Sequence, residues 1–91
     1  MQYQISTNVK RIVSTINSDK VNSLDYATIN YYKIRIIDEL DRLFKVLPTV
    51  PEVVQKEITD KLVRQLEGSI DVLNSLNPPQ SNVDTLLTIK L

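Results

Sequence analysis

The chain contains neither cysteine nor histidine. Without cysteine there are no disulfides and no thiolate nucleophiles. Without either residue, zinc sites of the usual kinds and histidine proton shuttles are excluded as well. Net charge is lacking too: 11 Lys and Arg balance 11 Asp and Glu in 91 residues. Such a chain carries no overall field to hold a phosphate backbone or an acidic membrane surface, which disfavours nucleic acid as a partner. No apolar run approaches the roughly 20 residues that span a bilayer. The opening "MQYQISTNVKR" is too polar for a secretion signal, so a cytoplasmic location is expected.

Glycine is reduced to Gly68, and the four prolines stand in two pairs, Pro48 with Pro51 and Pro78 with Pro79. A chain so poor in breakers, punctuated at two places, reads as helices with sharp joints. Ile5, Val9, Ile12, Val13 and Ile16 recur at three-and-four spacing and predict a first helix from about Gln4 to Ser18. "SDKVNS" reads as a loop, after which Ser23 or Asp25 can cap a second helix reaching about Leu47. Its expected core stripe is Tyr26, Ile29, Ile36, Ile37, Leu40, Leu43, Phe44 and Leu47.

A third helix is expected after "PTVP", with Pro51 in its first turn and Val54, Ile58, Leu62, Leu66, Ile70, Leu73 and Leu76 along its core face. Asn77 and Pro78 end it. The short joint between the second and third helices predicts an antiparallel hairpin. The fold class expected is therefore all-α. It is either a three-helix antiparallel bundle over residues 1–77 followed by a proline-led C-terminal tail, 78–91, or a hairpin completed by dimerisation. The tail is open to a helix or a strand, because Leu87, Ile89 and Leu91 alternate while Ser81 and Asp84 suit a capping box.

Several side chains deserve separate readings. Tyr31 and Tyr32 fall on different faces of the second helix, so they do not form a stacking platform beside Lys33 and Arg35. Lys33 lies within the apolar stripe, where its stem can run along the surface and put the charge in water. The third helix has an apolar sector near half its circumference, bordered by Val54 and Val72 on one side and Val63 and Ile70 on the other. That width predicts contact with more than one neighbour. Gly68 hints at a close backbone approach or a bend. Opposite charges four apart, Glu52 with Lys56, Glu57 with Lys61, Asp60 with Arg64, Asp38 with Arg42 and Asp41 with Lys45, are expected on exposed faces. Nothing desolvates Asp38, Glu39 or Asp41 into a general acid or base, and no phosphate loop or metal-ligand spacing is present. No enzymatic activity and no cofactor are expected.

"DYATINYYKIRIIDELDRLFKVLP" followed by "TVPEVVQKEITDKLVRQLEGSIDVLNSL" resembles the microtubule interacting and trafficking (MIT) domain, particularly its archaeal forms, over about residues 5–76. That family favours alanine where helices approach, whereas this chain has only Ala27 and puts Ile34, Arg35 and Ile36 near the usual small position. The resemblance implies a non-catalytic adaptor whose inter-helix groove captures a tail from a membrane-remodelling filament protein. Asp84, Leu87, Lys90 and Leu91 are similar to the first part of the helical motif that such domains bind.

These readings combine into an interaction module that binds an amphipathic segment between helices two and three. Ile34, Val63 and Ile70 are the expected apolar contacts, and Asp38, Asp41 and Glu67 the expected partners for a basic residue. The competing expectation is a structural homo-oligomer, such as a small viral or scaffold protein. A small nucleic-acid binder using Lys10, Arg11, Lys20 and Arg35 is the third.

Overall fold

In a computed structural model of the chain, the described residues are 3–76. All their regular elements are helices, with no strand among them. The predicted tail, including Asp84, Leu87, Lys90 and Leu91, lies outside the described residues.

Helix α1, Thr7–Ile16, starts later than its apolar periodicity predicts, because residues 3–6 are drawn out along another helix instead. Ser6 marks the switch: its hydroxyl accepts from the Val9 amide and so caps α1. Its β-branched residues are poor helix formers alone, and burial of Val9, Ile12, Val13 and Ile16 supplies the stability that propensity does not. The segment read as a loop winds instead as a 3-10 turn, Asp19–Ser23, capped by Ser18.

Helix α2, Tyr26–Val46, is capped by Asp25, whose Oδ1 accepts from the Thr28 amide at 2.7 Å. Hydrogen bonding to Thr28 holds the Asp25 carboxyl below the ordinary carboxylate value. A 3-10 turn, Leu47–Thr49, contains Pro48, and Pro51 takes the N-cap position one residue before the helix predicted to contain it. The third helix is continuous but not uniform: α3, Glu52–Ile58, passes through a π turn, Thr59–Val63, into α4, Arg64–Ser75.

Helices α1, α2 and α4 each touch the other two. Ile36 and Leu43 from α2 meet Leu66 and Leu73 from α4 in the most deeply buried layer, with Val9, Ile12, Val13 and Ile16 from α1 closing it. Full burial of each such side chain contributes about 1.5–3 kcal/mol.

Four expectations are corrected here. Tyr26, Ile37 and Phe44 belong to the exposed side of α2, because the buried strip is narrow and centred on Ile29, Ile36 and Leu43. Its edge turned to α1 contains Glu39 instead, buried at 5% exposure. On the third helix, Val63 is buried and Leu62 only half-buried. The cause is the π turn: its wider winding separates buried Ile58 from the next buried residue by five positions rather than four. Gly68 faces open space, so no close approach explains it.

Among the predicted charge pairs, Lys61 reaches Glu57 at 3.3 Å, but Asp38 pairs with Arg35 and leaves Arg42 to Glu39. Tyr31 is exposed and Tyr32 half-buried, as their separate faces predict.

Candidate functional site

The N-terminal segment and α1 are fastened to one flank of α2. Ser6 donates its amide hydrogen to Glu39 Oε1 at 2.8 Å, and Arg42 Nη2 donates to the same oxygen at 2.9 Å. Arg42 also donates to the Gln4 carbonyl, donates from Nε to the Tyr3 hydroxyl at 3.0 Å, and stacks 5.2 Å from the Tyr3 ring centre. Further along, Asn8 donates to the Tyr31 hydroxyl, and Arg35 lies over the Tyr31 ring. Burial pushes the Tyr3 phenol above its ordinary value.

The other flank of α2 is bare. At about 100° per residue, Tyr26, Ile37 and Phe44 fall within about 20° of one another and roughly 90° from buried Ile36. Ile37 and Phe44 are each 48% exposed, and Ile34, one further step round, is 53% exposed. Half-buried Leu40 joins this strip to the core. Large apolar side chains aligned in this way amount to a few hundred Å², the scale at which surface patches are often functional. Two charges border the strip, half-buried Lys33 and exposed Asp41, and neither belongs to an ion pair among the described residues.

Of the predicted contacts, Ile34 and Asp41 share this bare flank with Ile37. Asp38 does not: it is held at 2.8 Å by Arg35 towards the Tyr31 side. Val63 is sealed in the core at 5% exposure, which removes it as a surface contact. Ile70 is half-buried on α4, with exposed Glu67 one turn before it. Ile37 and Phe44 are the residues that sequence reasoning missed, since an apolar pair at a seven-residue spacing beside Leu40 has the signature of a core strip.

A concavity of about 250 Å³ lies beside the π turn, lined by Tyr3, Val54, Glu57, Ile58, Lys61 and Leu62. Its lining is mixed, with Val54, Ile58 and Leu62 beside the Glu57–Lys61 pair. It is smaller than the cavities that usually enclose a small-molecule ligand. Among the described residues, no group of His, Cys, Asp and Glu could hold a metal ion, and no helix is long and apolar enough to cross a membrane. Comparison with protein-family models, with curated proteins and with solved structures gives no match.

Proposed function

We propose that this chain is a non-catalytic protein-interaction module that takes an amphipathic segment along the bare flank of α2, in the groove bordering the third helix. One observation carries the reading: Ile34, Ile37 and Phe44 stand open on the flank of α2 that α1 does not use. The way the N-terminal segment lies on α2 fits it. Contacts run from Asn8 with Tyr31 through Ser6 with Glu39 to Gln4 with Arg42, rising on α2 as they fall on the N-terminal segment. With α1 on one flank of α2 and α4 also against α2, a segment on the open strip would reach α4, with Ile70 as its floor and Glu67 as its wall.

Docking there would bury the three side chains against an apolar face, while Asp41 and Glu67 select a basic residue beside it. The MIT-like pattern of the sequence fits such an adaptor role. The test uses a 14-residue peptide of leucine and lysine, designed with leucines at helical three-and-four spacing, in calorimetric titration. Binding in the micromolar range is expected, with at least a tenfold loss in Ile37→Ser. That substitution removes a half-exposed side chain, so it costs no more than about 1.5 kcal/mol of stability. Equal binding by both proteins would contradict the proposal.

A further inference from the structure

We propose that Glu39 and Arg42 of α2 form a clamp for peptide backbone, filled in cis by residues 3–6, and that the same site takes an extended aromatic-x-aliphatic segment of a partner chain when this strap lifts. The clamp stands on the flank of α2 that α1 uses, so it is separate from the bare flank and independent of the role proposed there.

What the clamp holds is main chain. Arg42 Nη2 donates to the Gln4 carbonyl at 3.2 Å, and Glu39 Oε1 accepts from the Ser6 amide at 2.8 Å. A carbonyl and an amide two residues apart are offered by any extended chain without proline at the second place. The two halves of the clamp are joined to each other at 2.9 Å across one helical turn, so donor and acceptor hold their register without the strap. Selectivity comes from the side chains. Exposure alternates from half-buried Tyr3 through exposed Gln4 to buried Ile5, as in an extended chain that presents every second side chain to a surface. The Tyr3 ring lies 5.2 Å from the Arg42 guanidinium and its hydroxyl accepts from Nε at 3.0 Å, while Ile5 enters the core. The strap thus displays the ligand class in its own sequence: an aromatic residue, a free position and an aliphatic one.

Two features favour exchange of the occupant. Residues 3–5 make no backbone–backbone hydrogen bond among the described residues, and the bonds from Arg42 to Tyr3 and Gln4 are exposed to water. A terminal segment held in this way opens at far lower cost than the helices behind it. The strap also leaves its groove partly empty. The concavity of about 250 Å³ has Tyr3 in its lining together with Val54, Ile58 and Leu62, so a partner segment finds apolar space beside the aromatic position that the cis occupant does not use.

The test is calorimetric titration of the full chain with the acetylated and amidated hexapeptide QYQIST, the sequence of residues 2–7. Tyr3→Ala weakens the strap and leaves both halves of the clamp intact. This variant takes the peptide about tenfold more tightly than the wild type, in which the tethered segment competes at an effective concentration of roughly millimolar order. Adding Arg42→Lys keeps the charge but removes the fork that serves the carbonyl and the hydroxyl together, and it lowers binding by about tenfold. Adding Ile37→Ser instead leaves binding unchanged. Circular dichroism establishes that each variant is folded. In the wild type, hydrogen exchange at the Ser6 amide runs about a hundredfold faster than at the Leu43 amide, because lifting the strap leaves the core closed. The proposal is overturned by a folded Tyr3→Ala chain that takes the peptide no better than the wild type, and by binding that survives Arg42→Lys or falls with Ile37→Ser. A Ser6 amide as protected as that of Leu43 also overturns it, since residues 3–6 would then be a fixed part of the fold.

Discussion

Glu39 is the residue on which the N-terminal segment depends. Its buried carboxylate accepts from the Ser6 amide and from Arg42, so one side chain satisfies both donors. Glu39→Ala leaves the Ser6 amide without that acceptor and should cost about 1–3 kcal/mol in urea unfolding. Glu39→Gln, which keeps an acceptor oxygen of nearly the same shape, should cost distinctly less. Equal losses would mean that packing, not hydrogen bonding, is what Glu39 contributes. Gly68 illustrates the opposite case. A Cβ at this helical position meets nothing within 4 Å. Gly68→Ala should therefore stabilise the fold by up to about 1 kcal/mol, from helix propensity alone. In a domain of this size that is a rise of roughly 4–8 °C in Tm, and an unchanged or lowered Tm would mean that the position is constrained by something outside the described residues.

At the scale of elements, the caps and joints were legible because their signals are local. Asp25 precedes α2 as a capping residue should, and the Pro48 and Pro51 joint separates two helices as its spacing predicts. Two features were not legible, and for related reasons. Glu39 is buried where the residues before α1 present the Ser6 amide, which lies 33 positions away in sequence. The π turn Thr59–Val63 arises from one extra residue in an otherwise regular repeat, and periodicity averages such an insertion into an apolar sector that looks too wide. Only part of the surplus on the third helix is absorbed by that turn, which rotates Val63 inward, while Val54 and Ile70 stay half-buried and Val72 exposed. Deleting exposed Asp60 should convert the π turn to regular helix while keeping Ile58 and Leu66 on their faces, with the cooperative melt retained. Deleting exposed Asp71, beyond the turn, rotates Leu73 by about 100° out of the core and should abolish that melt. Similar behaviour of the two deletions would mean that the turn does not set the phase of α4.

For the whole molecule, the distribution of uncovered apolar surface matters more than its amount. A chain of 91 residues buries a limited core and has little stability to spare. Yet α2 leaves Ile34, Ile37 and Phe44 open on one flank while Val9, Ile12, Val13 and Ile16 of α1 are all spent inside. The candidate surface was half legible: Ile34, Asp41, Glu67 and Ile70 stand open or half-open, whereas Val63 and Asp38 are engaged elsewhere. Ile37 and Phe44 escaped notice because an apolar strip left open on a helix has the same period as one that serves the core. The most direct measurement is therefore the methyl NMR spectrum of the isoleucines as the leucine and lysine peptide is titrated in. The account predicts progressive shifts for Ile34 and Ile37 and constant signals for Ile12 and Ile58; inner and outer isoleucines that respond alike, or not at all, would contradict it.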